Sequence, residues 1–182
     1  PSLIQTQQVR MNKARKVIAS MLTTFEISKW LMQLNDWNFH AVYFDAIDKF
    51  CHMFMRFQSP QQPFVSDEDF AMFRNAITAM YRIQDNMLGE FLRIAGEEAT
   101  VILTSDHGFR SGNDRLEKLP DIMFKPVSDH RDTGIFVISG PSIRKGTRLN
   151  GISLLDICPT ILYSMDVPVA NDMKGRVMIE AF

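Results

Sequence analysis

Apolar positions recur every three or four residues across the first part of the chain, and this spacing predicts a long helix over residues 5–34. No Gly or Pro interrupts the pattern, which is carried by Val9, Ala14, Val17, Ile18, Met21, Leu22 and Phe25. A short, nearly continuous apolar run over residues 39–44 then predicts a strand buried on both faces. Residues 45–57 are expected to form a loop with one helical turn.

The rest of the chain alternates between helical and strand patterns. In chain order it predicts a helix over residues 66–94, a strand over 100–104, a flexible polar loop over 110–118, a strand over 134–139 and a helix over 154–165. Ser66 and Ser153 are expected to cap the two helices, and Gly96 is expected to end the first of them.

Strands that alternate with long helices predict an α/β fold, in which a mostly parallel sheet is flanked by helices. The length of 182 residues predicts a single domain. Such a domain usually opens with a strand, whereas this chain opens with a helix, so we expect an N-terminally truncated sheet. The apolar stripe of residues 5–34 would then lack its packing partner, which predicts a homodimer through this N-terminal helix. The alternative is a monomer in which the helix folds back over its own sheet.

Composition mainly excludes classes of function. Hydrophobic residues make up 46% of the chain and charged residues 23%, as in ordinary globular proteins. The net charge is -1 and no basic block stands out, so a nucleic-acid footprint is not expected. No apolar run reaches the roughly 18 residues of a membrane span. Cys51 and Cys158 are far apart and show no zinc-binding spacing.

Three of the four histidines lie close to aspartates beside predicted strand ends. Asp48 and His52 follow the first strand, Asp106 and His107 follow the second, and His130 precedes the third. Ligands of open α/β sheets bind beyond the carboxyl ends of strands, so these five side chains are expected to converge at one sheet edge. Imidazole and carboxylate suit zinc, manganese or iron. Five ligands exceed the usual number for one catalytic ion, which favours two ions that clamp a phosphoryl group.

Each cluster also has a simpler interpretation. A D-x-x-x-H pattern occurs by chance in many proteins, the turn at Asp106 can be an Asx-turn, and His130 alone can be a surface histidine. Together they would require three independent coincidences, which weakens that interpretation. Arg110 and Arg131 could grip a phosphate or be solvated loop arginines. His40 is interpreted as a packing residue.

Four motifs, in order, carry a resemblance to a known family. They are Tyr43-Phe44-Asp45-Ala46-Ile47-Asp48 through His52-Met53-Phe54-Met55, Thr104-Ser105-Asp106-His107-Gly108-Phe109, His130-Arg131-Asp132-Thr133-Gly134 with Ser139-Gly140-Pro141, and Leu155 to Leu162 with Val167-Pro168 and Lys174-Gly175-Arg176. From about residue 10 to the C-terminus, the chain resembles the alkaline phosphatase superfamily. It is most similar to the type I phosphodiesterase/nucleotide pyrophosphatase family.

The resemblance implies a metal-dependent hydrolase of phosphate esters, with phosphodiesters or nucleotide pyrophosphates as the first expectation. It assigns Asp48, His52 and His130 to one metal ion and Asp106 and His107 to a second. Zinc is the expected ion and manganese the alternative, and the substrate would be a small phosphate ester. It also implies that Asp156 caps a helix near the site.

The resemblance also implies a further Asp ligand and a Thr or Ser nucleophile at a helix start, both upstream of the segment seen here. The chain is therefore expected to be the C-terminal part of a phosphodiesterase-type domain, with no catalytic nucleophile of its own and no activity alone. Two alternatives remain: a sulfatase or cofactor-independent phosphoglycerate mutase relative with the same metal core, or a non-catalytic metal-binding or interaction remnant.

Overall fold

A computed structural model describes residues 3–34, 36–117 and 126–182. In chain order the helices and strands of these residues are α1 (Leu3–Leu34), α2 (Ala46–Phe54), α3 (Asp67–Phe73), α4 (Ala76–Ala95), β1 (Val101–Thr104), β2 (Gly108–Phe109), β3 (His130–Arg131), β4 (Phe136–Ser139) and α5 (Ile157–Ser164). None of the described helices has the length and hydrophobicity needed to cross a bilayer.

The chain divides into two compact units that are interleaved along the sequence. The first unit comprises Pro1–Gly96 and Gly108–Arg131, and the second comprises Glu97–His107 and Asp132–Phe182. The single-domain organisation stays a prediction.

Helix α1 confirms the long helix predicted over residues 5–34. It packs against α2 and α4 in the first unit. Its buried side chains are Gln7, Ala14, Met21, Phe25, Ser28 and Met32. Phe25 meets Phe91 of α4 edge to face, with ring centroids 5.1 Å apart. This face provides one wall of the first unit's core, so apolar burial holds the helix in place.

The strand predicted over residues 39–44 is wrong, because the structure assigns no strand there. The apolar run was expected to be buried on both faces, yet Phe39 remains 56% exposed and Tyr43 77% exposed. A strand needs a neighbour for its backbone hydrogen bonds, and no described strand pairs with this segment.

The predicted loop over residues 45–57 is instead mostly helical. Ala46, Phe50 and Phe54 of α2 are buried at four-residue steps, so burial of one face stabilises the helix. The helix predicted over residues 66–94 begins as expected, because the Ser66 hydroxyl accepts a hydrogen bond from the Asp69 amide. It breaks after Phe73 into α3 and α4, and it ends at Gly96 with a φ of 76°.

The described strands form two small antiparallel sheets, so the mostly parallel sheet predicted from the sequence is not found among them. In the second unit β1 pairs with β4, from Val101 opposite Ser139 to Thr104 opposite Phe136. In the first unit β2 pairs with β3. A parallel sheet requires neighbouring strands joined by crossover helices, and each of these pairs runs in opposite directions.

Asp156 organises the hydrogen bonds of the second unit. Its carboxylate accepts bonds from the amide of Ser153 at 2.7 Å and from the amide of Arg176 at 2.8 Å, so the predicted Ser153 cap is confirmed as a capping box. The buried Thr160 hydroxyl donates to the Asp156 carbonyl and accepts from the Met178 amide. These bonds fasten the C-terminal segment to the start of α5.

Candidate metal centre

Helix α2 positions two of the predicted ligands. Asp48 and His52 are one helical turn apart, because residues four apart lie on the same face of a helix. Their side chains are 35% and 28% exposed, which leaves them accessible while the opposite face of α2 is buried. The D-x-x-x-H spacing thus places a carboxylate and an imidazole together only because the segment is helical.

The pairing of β2 with β3 positions the third ligand. His130 lies opposite Phe109 in this short ladder. Arg110 holds the segment before His130, since its amide donates to the Asp129 carbonyl at 2.8 Å and its Nε donates to the Ser128 carbonyl at 2.9 Å. Ladder pairing and the two bonds from Arg110 therefore hold the backbone at and just before His130.

Asp48, His52 and His130 converge in the first unit, although His52 and His130 are 78 residues apart in sequence. The Nε2 atoms of the two histidines are 3.0 Å apart, and Oδ1 of Asp48 is 3.4 Å from His52 Nε2 and 3.2 Å from His130 Nε2. Two ligand atoms that bind one zinc ion tetrahedrally at about 2.05 Å are about 3.3 Å apart. The nearly equilateral triangle of ligand atoms therefore has the size expected for three ligands of a tetrahedrally coordinated ion.

An aromatic side chain from β2 packs against the two histidines of this triangle. The ring of Phe109 packs edge-on against both histidines, with centroids 4.8 Å from His52 and 5.0 Å from His130. Burial, together with the nearby charge of Asp48, raises the pKa of the Cys51 thiol to about 12. Cys51 is thus a neutral, buried packing residue, as free cysteines often are.

Arg115 is a structural residue that the sequence analysis missed. It lies in the stretch predicted as a flexible loop over residues 110–118, of which Lys118 lies outside the described residues. Arg115 is 7% exposed. Its guanidinium donates hydrogen bonds to the backbone carbonyls of Met55, Arg56, Gln58, Pro60 and Gly112. Burial lowers its pKa. Arg115 thereby ties the segment that follows β2 to the chain that follows α2, so this part of the predicted flexible loop is anchored.

Asp106 and His107 follow β1 in the second unit. His107 Nε2 is 3.7 Å from Oδ1 of Asp106. The Ser105 amide donates to the Ile135 carbonyl at 3.0 Å, and the Ile135 amide donates to the Ser105 hydroxyl at 2.9 Å, so the backbone just before these side chains is fixed. The convergence of all five predicted ligands at one site stays a prediction.

The softer candidates have protein partners. Arg110 bonds the Ser128 carbonyl, and Arg131 pairs with Asp114. His40 meets the buried Ser28 hydroxyl at 2.7 Å, which agrees with its interpretation as a packing residue.

Comparison with known proteins bears on this geometry. A family model described as "Type I phosphodiesterase / nucleotide pyrophosphatase" matches residues 5–151, a range that contains all five predicted ligands. The resemblance found in the sequence motifs is thereby confirmed. No solved structure matches the chain.

Two curated relatives share part of the sequence, and both are named 2,3-bisphosphoglycerate-independent phosphoglycerate mutase. The protein of Clostridium tetani is 32% identical over 112 residues, which cover 60% of this chain and 20% of that protein. The protein of Cellvibrio japonicus is 31% identical over 109 residues, which cover 59% of this chain and 20% of that protein. The chain therefore spans about a fifth of the length of these relatives.

Proposed function

Because the chain belongs to the type I phosphodiesterase / nucleotide pyrophosphatase family, we propose that it carries the divalent-metal centre of an enzyme that hydrolyses phosphate esters, with phosphodiesters and nucleotide pyrophosphates as the first substrate class. The family consists of metal-dependent phosphoryl-transfer enzymes within the alkaline phosphatase superfamily. The observation that carries the proposal is the triangle formed by Asp48, His52 and His130.

In this proposal Asp48, His52 and His130 hold one ion, and Asp106 and His107 contribute to a second. Two imidazoles and a carboxylate are the donors that zinc accepts at catalytic sites, and manganese is the alternative. A bound divalent ion supplies Lewis-acid stabilisation of charge on phosphoryl oxygens. The chain's own task is to present unprotonated imidazoles and an ionised carboxylate, so metal affinity should fall as the histidines become protonated. No nucleophile is assigned among these residues.

The names of the two relatives support a second candidate, in which the enzyme isomerises a phosphorylated hydroxy acid instead of hydrolysing a diester. Both reactions transfer a phosphoryl group, so they can use the same metal ligands. They differ in the acceptor, which is water in hydrolysis and a substrate hydroxyl in the mutase reaction. A non-catalytic metal-binding chain is the third outcome to be tested.

Metal titration tests the centre directly. Zinc or manganese is titrated against a chromophoric chelator for the wild-type chain and for His52→Ala, His130→Ala and His40→Ala. We expect the first two variants to lose the site, because each removes one of three ligands, and the His40 variant to retain it, because that imidazole bonds Ser28 instead. Equal affinity in all four proteins would contradict the assignment.

Activity separates the candidate functions. The chain and a protein that includes any flanking sequence are assayed with bis-p-nitrophenyl phosphate and, separately, with 3-phosphoglycerate. Diester hydrolysis that is lost in His52→Ala supports the first candidate, and phosphoglycerate isomerisation supports the second. We expect the 182-residue chain alone to stay near background, because nucleophilic catalysis requires a positioned hydroxyl.

We also propose that the chain self-associates through α1. Its C-terminal half leaves large apolar side chains exposed, including Ile27, Trp30 and Leu31. Exposed apolar surface of this kind favours association. Light scattering at tens of micromolar should show a dimer that Leu31→Glu dissociates, and a monomeric mass for the wild-type chain would contradict this.

A further inference from the structure

Asp129 contacts His52 on the side opposite the other two ligands. Its Oδ2 is 3.7 Å from Nδ1 of His52, whereas Nε2 of the same ring faces Asp48 and His130. The two nitrogens of an imidazole point away from each other across the ring. One ring can therefore present Nε2 to an ion while Nδ1 faces a carboxylate.

The backbone holds Asp129 in this place. Its carbonyl accepts a hydrogen bond from the Arg110 amide at 2.8 Å, and the neighbouring Ser128 carbonyl accepts one from Arg110 Nε. The next residue, His130, is paired with Phe109 in the β2–β3 ladder, and Phe109 packs edge-on against His52. The Asp129 side chain is only 14% exposed. Asp129 and His130 thus contact His52 from one short segment whose backbone is held by hydrogen bonds.

We propose that Asp129 is a positioning residue for the metal centre, which acts through His52 by favouring the proton on Nδ1 and so leaving Nε2 free to bind the ion. This inference rests on the proposed metal centre. A carboxylate near the second nitrogen of a metal-binding histidine fixes its tautomer and ring orientation and makes the ligating nitrogen more basic. Asp48, the carboxylate on the Nε2 side, would be engaged by the ion, which leaves Asp129 as the group that faces Nδ1.

Zinc affinity provides the first test. The wild-type chain is compared with Asp129→Ala, Asp129→Asn and the control Asp85→Asn, which removes one exposed charge from α4 in the same unit. Loss of such a supporting carboxylate usually weakens metal affinity about 10–100-fold. We expect that range for Asp129→Ala, a loss near the lower end for the similarly shaped Asp129→Asn, and no change for Asp85→Asn. If the alanine variant does not fold, the asparagine variant carries the comparison.

The Nδ1 proton of His52 provides the second test, because a merely structural role would not affect it selectively. Long-range proton–nitrogen NMR of the zinc-loaded chain should show His52 protonated at Nδ1, and this proton should exchange faster with water once Asp129 is replaced. Unchanged affinity and exchange in the Asp129 variants, while wild-type zinc binding persists, would overturn this inference alone. Absence of zinc binding in the wild-type chain would overturn the metal centre and this inference with it.

Discussion

Asp156→Ala is expected to lower the free energy of unfolding by about 2–4 kcal/mol, because the substitution removes the acceptor of several hydrogen bonds. The carboxylate receives the amides of Ser153 and Arg176, at 2.7 and 2.8 Å, and the Ser153 hydroxyl at 3.3 Å. Bonds to a charged acceptor contribute about 1.5–3 kcal/mol each. Solvent can reach part of this network after truncation, so the full sum is not expected.

The same carboxylate predicts a pH dependence. The hydrogen bonds from Arg176 and Ser153 lower the pKa of Asp156 below its usual value. A depressed pKa contributes stability that is fully present above the unfolded-state value of about 3.9 and is lost as the pH falls through the folded-state value. The difference in stability between the wild-type chain and Asp156→Ala should therefore be constant near neutral pH and shrink as the pH falls below about 4.

Urea denaturation followed by circular dichroism at pH 7 and pH 3 measures both effects. Asp172→Ala, an exposed carboxylate of the same unit, serves as the control and should change stability by less than about 0.5 kcal/mol. Asp156→Asn should lose less than the alanine variant, because its amide oxygen can still accept one amide. A loss below about 1 kcal/mol for Asp156→Ala, or a difference that widens in acid, would refute the reasoning.

Three further predictions concern other positions. Gly175→Ala should destabilise the chain by more than about 3 kcal/mol, because the added Cβ would lie 1.9 Å from the carbonyl oxygen of Leu155. Gly89→Ala has open space in α4 and should instead stabilise the chain by about 0.5–1 kcal/mol, and thermal unfolding of both variants checks this. In the native chain a thiol reagent at pH 8 should modify the exposed Cys158 and spare the buried Cys51, whose pKa is raised to about 12. Rapid reaction of two thiols per chain would contradict the buried position of Cys51. Arg115→Lys keeps the positive charge but loses the planar set of N–H donors that bonds several carbonyls at once, so the free energy of unfolding should fall by about 2–4 kcal/mol. An unchanged urea midpoint would show that these hydrogen bonds contribute little.

Local signals in the sequence predicted the ends of helices better than the pairing of strands: β1 and β4 lie where strands were predicted, but they pair antiparallel. Ser66 begins a helix because its hydroxyl caps the first turn, and Gly96 ends one because it adopts a positive φ. Both effects depend only on residues close in sequence. An apolar run such as residues 39–44 indicates a tendency to be buried, but strand formation also depends on a distant partner that the run does not identify.

The candidate site was predicted in part for a similar reason. Asp48 and His52 could be paired from their spacing, and His130 from its motif, and the structure brings these three together. The structural role of Arg115 could not be predicted, because its partners are backbone carbonyls. Every residue has a backbone carbonyl, so the sequence gives no sign of which ones will meet an arginine. Asp129 could not be identified from the sequence either, because its proximity to His52 arises from a tertiary contact between distant parts of the chain.

The buried face of α1 sets a rule for how this helix can change in length. Gln7, Ala14, Met21 and Ser28 recur at intervals of seven, two helical turns each. Deleting one residue between Ala14 and Met21 would rotate the part of α1 before the deletion by about 100° and turn its buried residues away from the core of the first unit. Removing seven residues would rotate it by only about 20°. Insertions or deletions of seven residues in α1 should therefore preserve its buried face and the fold, whereas those of a single residue should destabilise the first unit.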